Sequence, residues 1–113
     1  MKIAVSYDNG MVYGHFGDTP KFKIYTVEGK DIRSSVIIDA DPEGHTHLCD
    51  QLHDLGVNKL ITGGYGDRML MIMKTYGIEV YGNVEGNADE ALKALLDGTL
   101  KYSEEAHHCS CGH

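Results

Sequence analysis

Apolar residues change their spacing several times along the chain, and each change marks an element. Lys2 to Tyr7 is a short, nearly continuous apolar run that stops at Asp8-Asn9-Gly10, the pattern of a buried strand ended by a turn. Lys21 to Val27 and Ile32 to Asp39 are rich in β-branched and aromatic residues, and the polar break Glu28-Gly29-Lys30-Asp31 between them predicts a hairpin. From Thr46 to Leu55 the period lengthens. Leu48, Cys49, Leu52 and Leu55 recur at helical spacing, and Gly56 stands where a left-handed cap would close a first helix. Lys59 to Thr62 is a short strand that runs into Gly63-Gly64-Tyr65-Gly66, after which Asp67 to Tyr76 reads as a second helix stopped by Gly77. Ile78 to Tyr81 is a fifth strand. Asn87-Ala88-Asp89-Glu90 then forms a capping box, and Ala88, Ala91, Leu92, Leu95 and Leu96 line one face of a third helix that runs to about Asp97 and ends at Gly98.

The order β-β-β-α-β-α-β-α predicts an α/β fold: a mixed, five-stranded sheet with helices on both faces, hence three layers. Right-handed crossovers and an antiparallel second strand give the spatial order 3-2-1-4-5. Strands one, three, four and five then point the same way, and their C-terminal ends share one rim, where open α/β sheets bind ligands. Four loops are expected to meet there: Asp8 to Pro20, Asp39 to His47, Gly63 to Gly66 and Gly82 to Gly86.

A length of 113 residues allows one core, and periodicity is lost from Thr99 onward. The expected organisation is an α/β domain over residues 1–100 and a flexible His/Cys-rich tail over 101–113. The net charge of −7 would repel a phosphate backbone, and no stretch gathers enough lysine or arginine to overcome it, so nucleic acid is not an expected partner. Three cysteines, two of them in the last five residues, do not make a disulfide framework and suit a reducing compartment. With neither a signal peptide nor a membrane span to be drawn, the expectation is a cytoplasmic protein without a membrane partner.

Candidate chemistry gathers on the rim. His15, His45 and His47 fall in its loops and His53 one helix face further on; neutral imidazole is the commonest metal ligand, though solvated loop histidines look the same in sequence. Cys49 lies four residues from both His45 and His53, on a shared helix face, yet leucines flank it. It is read either as part of a clamp or as a small core residue. Gly63, Gly64, Tyr65 and Gly66 before a helix offer backbone N–H groups and a positive dipole end to an anion, with Arg68 nearby; tight packing between strand and helix is the other reading. Met69, Met71 and Met73 alternate along a helix and so share no binding face. In the tail, Cys109, Cys111 and His113, with His107 and His108, suit zinc or another soft metal, copper(I) or iron, unless they are merely an unused end. No activated serine and no set of strand-end carboxylates beyond Asp8 marks an enzyme.

His15-Phe16-Gly17 after strand one, His45 and His47 before the first helix, Gly63-Gly64-Tyr65-Gly66 after strand four, Gly77-Ile78-Glu79-Val80, Glu90-Ala91-Leu92 and Gly98-Thr99-Leu100 together resemble the dinitrogenase iron-molybdenum cofactor biosynthesis proteins, over about residues 1 to 100. That resemblance implies a ribonuclease H-like fold without its nuclease site. It also implies binding or carriage of an iron–sulfur or iron-molybdenum-type cluster, or its precursor, between cofactor-assembly proteins in nitrogen fixation. His15 is the first position to carry over, with the His45/His47 loop and the glycine loop as further walls; Tyr65 departs from the smaller residue common there. The expected function is non-enzymatic carriage of such a cluster. A small-anion or nucleotide-binding regulatory module, or metal trafficking by the tail alone, are the alternatives.

Overall fold

The computed structural model describes residues 1–44 and 46–102. His45 and residues 103–113, and with them the assignments made for His45, Cys109, Cys111 and His113, lie outside the described residues. β1 (Lys2–Asp8) occupies the middle of the sheet, with Ile3, Ala4, Val5 and Ser6 entirely buried. A strand covered on both faces has no polar side to alternate with, which is why its sequence reads as an unbroken apolar run. Asn9 and Gly10, both at positive φ, turn the chain back into β2 (Met11–Val12), which pairs antiparallel with the end of β1. This strand is absent from the sequence reading, because two residues are too few to show a period.

β3 (Lys21–Glu28) pairs antiparallel with β1 on one side and with β4 (Asp31–Asp39) on the other. β5 (Lys59–Ile61) runs parallel to β1, and β6 (Glu79–Tyr81) parallel to β5. The resulting order β4-β3-β1-β5-β6 is the one expected for the five longer strands, and β2 makes the sheet six-stranded. β4 is an edge strand exposed along nearly its whole length.

α1 (Thr46–Asp54) and α2 (Asp67–Thr75) cover one face, where Leu48, Leu52 and Met73 pack with Phe22, Ile24, Leu60 and Val80. α3 (Ala88–Asp97) covers the other, where Ala88, Ala91 and Leu92 pack with Ile3, Val5, Tyr25 and Ile61. Each of the larger aliphatic and Phe or Met side chains among these contributes about 1.5–3 kcal/mol relative to exposure. Met69 and Met73 are buried while Met71 is 69% exposed, as alternation along a helix requires. The start of α3 is set by Asn87, whose side-chain oxygen accepts from the Glu90 N–H at 3.0 Å, and its end by Gly98 in the left-handed region at φ 78°. Both features had been legible as a cap and a stop. No helix among the described residues is long and apolar enough to cross a membrane.

Candidate functional site

At the rim the backbone itself ties the loops together. After β2 the chain crosses the end of β5, where His15 and Gly64 form an isolated parallel bridge: the Gly64 N–H donates to the Gly14 carbonyl at 2.8 Å and the Phe16 N–H to the Gly64 carbonyl at 2.8 Å. Gly63 lies so close to Gly14 that a Cβ on it would stand 2.6 Å from both the Gly14 Cα and carbonyl oxygen, so no other residue fits there. The Gly63 carbonyl accepts from the Asn83 N–H at 2.9 Å, adding the loop after β6. Gly44 brings the fourth loop in: at φ +64°, a Cβ there would sit 3.1 Å from the Gly17 carbonyl oxygen. The four expected loops therefore do converge.

His15 stands on this platform with its side chain about two-thirds exposed, its Nδ1 3.2 Å from Asp18 Oδ2. A single turn of 3-10 helix, Phe16–Asp18, makes the pair, since residues three apart eclipse in that helix. At that distance the carboxylate lies beside the imidazole as a counter-charge, and a carboxylate next to a histidine is a common companion of metal-binding imidazoles. Beside it opens a hollow of about 270 Å³ lined by His15, Phe16, Gly17, Tyr65, Gly66, Arg68 and Met69. Its floor is apolar, because Phe16 and Tyr65 are buried in the core beneath α2. Its far wall is the start of α2, capped by Gly66, with the exposed Arg68 in the first turn.

The positive end of α2 and the Arg68 guanidinium favour an anion in this hollow, although Asp67 in the same turn offsets part of that charge. The glycine loop acts differently from the expectation. Gly63 and Gly64 spend their N–H groups on the carbonyls of Tyr13 and Gly14, so they shape the platform and do not themselves hold an anion. Tyr65 is 3% exposed and serves as floor. On the opposite side of His15 a second hollow of about 340 Å³ is lined by Gly14, His15, Gly63, Gly64, Asn83, Val84 and Glu85.

The remaining candidates separate. His47 is exposed in the first turn of α1, its N–H donating to the Gly44 carbonyl at 3.0 Å. His53 belongs to the other end of α1. Its ring stacks on Tyr76 at 4.1 Å and 11°, the Tyr76 hydroxyl donates to Asp50, and the adjoining Leu55 carbonyl accepts from Lys2 Nζ at the start of β1. Cys49 has no exposure and packs with Leu48 and Leu52; burial, and secondarily Asp50, pushes its thiol up to about 11. A clamp that uses Cys49 and His53 is therefore not formed, and Cys49 is a core residue. Among the described residues, no three His, Cys, Asp or Glu side chains are placed to hold a metal ion.

Asp18, which the structure places beside His15, is a candidate site residue absent from the sequence reading. The signal was present as His-x-x-Asp, but it acquires meaning only when those four residues turn through one 3-10 helix. Asn83, held at φ 58° on the wall of the second hollow, was missed for the same reason: nothing in its neighbours announces a left-handed residue.

A family model described as dinitrogenase iron-molybdenum cofactor matches residues 1–98. The uncharacterized protein MJ0580 of Methanocaldococcus jannaschii is 31% identical over 109 residues, 92% of either chain. Among solved structures, PH0822 superposes with a TM-score of 0.86 at 27% identity, covering 91% of this chain and 95% of that one. The apo form of the orange protein from Desulfovibrio gigas has a TM-score of 0.81 at 21% identity, covering 95% and 96%, which is a likeness of fold. The chain belongs to the dinitrogenase iron-molybdenum cofactor family.

Proposed function

We propose that the protein binds and carries, without catalysing a reaction, an iron–sulfur or iron-molybdenum-type cluster or its precursor during cofactor assembly, handing it to and from assembly proteins. The observation that carries this reading is the placement of His15: an exposed imidazole, with the Asp18 carboxylate beside it, at the mouth of a hollow whose other wall is the positive end of α2 with Arg68. Family membership supports the class of cargo.

The donor set fits a preassembled cluster better than a bare ion. A bare ion needs three or four protein ligands, and the described residues do not bring so many together. A cluster already carries bridging sulfides around each metal, so one imidazole can complete a single open position while its negative charge is met by the guanidinium and the helix end. Few protein bonds also suit a carrier, because release must remain easy. Phe16, Tyr65 and Met69 provide an apolar surface that keeps water from one side of the cargo. The Gly63 and Gly64 N–H groups are already donated to backbone carbonyls, so the glycine loop offers a nucleotide or small anion fewer backbone donors than the sequence suggests.

Anaerobic loading with an iron–sulfur precursor, followed by broad visible absorbance and iron stoichiometry, tests the reading. His15→Ala is expected to lose most of the bound iron. Equal loading of the variant and the parent protein would end the rim hypothesis.

A further inference from the structure

β4 is the long open edge of the sheet. It has nine residues against three in β6 at the opposite edge, and Ile32, Val36 and Ile37 on it are 40%, 54% and 48% exposed. Edge strands are commonly guarded against pairing by a charge or a proline. The stretch Ser34-Ser35-Val36-Ile37-Ile38 carries neither, and among the described residues no strand pairs with its outer side. The hydrogen bonds of the ladder fix which backbone groups face outward. The Ala40 N–H donates to the Pro20 carbonyl at 3.0 Å, on the β3 side, and the pattern alternates from there. Ser34, Val36 and Ile38 therefore spend their backbone groups on β3, while Ser35, Ile37 and Asp39 turn theirs to the open edge. Side chains alternate as well. Val36 lies on the face of α1 and α2, opposite Ile24, and Ile37 on the face of α3, opposite Lys23.

This edge is complementary to itself. When two copies of β4 run antiparallel, outward-facing residues must oppose outward-facing ones, so the twofold axis passes through a residue. With Val36 on the axis, Ser35 and Ile37 of the two strands exchange backbone hydrogen bonds, the two Val36 side chains meet, and Arg33 of each copy stands beside Asp39 of the other. The register shift in the β3–β4 ladder, between Thr26 and Val27, falls outside the five paired residues. Centring on Ser35 instead brings Asp31 toward Asp39 of the other copy, and centring on Ile37 carries the Arg33 contact past the end of β4. The charges thus select Val36. Within one chain Arg33 uses Nε toward Glu28 at 3.6 Å and Asp39 uses Oδ1 toward Lys21 at 2.7 Å, which leaves guanidinium Nη and carboxylate Oδ2 for the second copy.

We infer that β4 is an interaction edge at which two copies of this chain pair antiparallel about Val36, joining their sheets into one. The inference does not rest on the carrier reading. β4 runs parallel to β1, since both are antiparallel to β3, so its C-terminal end lies at the rim. The twofold axis reverses that direction, and the two His15 platforms stand at opposite edges of the joined sheet, both open to cargo. Five paired residues make a contact below the roughly 1,200 Å² of stable interfaces, so the association is weak and reversible.

The test is sedimentation equilibrium of the full-length protein, reduced and with a chelator present, so that neither a disulfide nor a metal ion joins two chains. Concentrations run from about 10 µM to about 1 mM, at about 0.15 M salt to screen repulsion between the acidic chains. The parent protein is expected to pass from the mass of one chain toward that of two. Val36→Lys sets two ammonium groups against each other on the axis and should weaken pairing at least tenfold. Arg33→Asp alone and Asp39→Arg alone should each lose pairing through like charges. An equimolar mixture of those two variants should pair about as tightly as the parent, because every Asp then meets an Arg. Arg33, Val36 and Asp39 are exposed, so circular dichroism should show all the variants folded. A parent protein that stays monomeric at the highest concentration would overturn the inference. So would a dimer that Val36→Lys leaves intact, or a mixture that pairs no better than its separate components.

Discussion

Gly63 and Gly14 touch backbone to backbone, with the place of a Gly63 Cβ only 2.6 Å from the Gly14 carbonyl oxygen, and this contact seats the His15 loop on the end of β5. Gly63→Ala must push the two loops apart. Overpacking of this kind costs about 1–3 kcal/mol. Gly14→Ala is the control, since a Cβ there meets nothing within 4 Å. Urea unfolding should show a clear loss for the first substitution and little for the second. Equal losses would mean that the contact is not what holds the platform.

The Asp18 carboxylate should matter to cargo affinity without touching cargo. Partners that orient a metal-bound histidine typically contribute 10–100-fold in affinity. Asp18→Asn is therefore expected to weaken cluster binding by about tenfold while leaving the thermal midpoint nearly unchanged, because both side chains are about two-thirds exposed. A variant that loads as tightly as the parent would show that Asp18 has no positioning role.

On the α3 face, Lys23 and the Tyr25 hydroxyl both hydrogen-bond Asp89, tying β3 to the first turn of α3. The hydrogen bonds from Lys23 and Tyr25 hold the Asp89 carboxyl below its usual range, and burial first, then Asp89, pushes the Tyr25 phenol well up. The signs differ. A depressed carboxyl stabilises the fold at pH values above about 4 and loses that contribution as pH falls through its lowered folded value. A raised phenol contributes fully below about pH 10 and loses its contribution as pH climbs toward its folded value. Urea midpoints against pH should accordingly fall at both ends. Asp89→Asn should flatten the acid arm and Tyr25→Phe the alkaline one, and unaltered arms would contradict the assignment.

Cys49 should be chemically silent in the native protein. With its thiol pushed up to about 11 and no solvent exposure, its reaction with a disulfide reagent at pH 8 should be slower by about 100-fold than that of an ordinary thiol. In Cys109→Ser/Cys111→Ser the remaining thiol should react only after urea is added. Rapid reaction in the folded state would return Cys49 to the list of candidate ligands.

How much of this could be read in the sequence follows from the range of the interactions concerned. Helices α1 to α3 and the five longer strands were legible because Leu48 with Leu52, or Ala88 with Leu92, repeat one burial requirement over several turns. The strand order followed from handedness once the elements were known. β2 was not legible because its two residues are held by partners distant in sequence as well as by Tyr7 and Asp8: Met11 bridges Asn87 and the Val12 N–H donates to the Gly86 carbonyl. Within the site, the convergence of the loops was legible from topology, whereas the direction of each N–H was not. The Gly64 N–H reads in sequence as an anion donor, but its acceptor is the Gly14 carbonyl, fifty residues away along the chain. The spacing of Cys49 and His53 correctly gives one helical side, but only the sheet beneath Leu48 and Leu52 decides that Cys49 faces inward. His53 is instead taken by Tyr76, the residue that caps α2.

Hyperfine spectroscopy on the cluster-loaded protein, reduced to a paramagnetic state and labelled with nitrogen-15 at histidine, addresses the central claim most directly. One imidazole nitrogen coupled strongly to the cluster in the parent protein, and no such coupling in His15→Ala, is the predicted result. A loaded parent protein without histidine coupling, or a coupling that survives in His15→Ala, would contradict it.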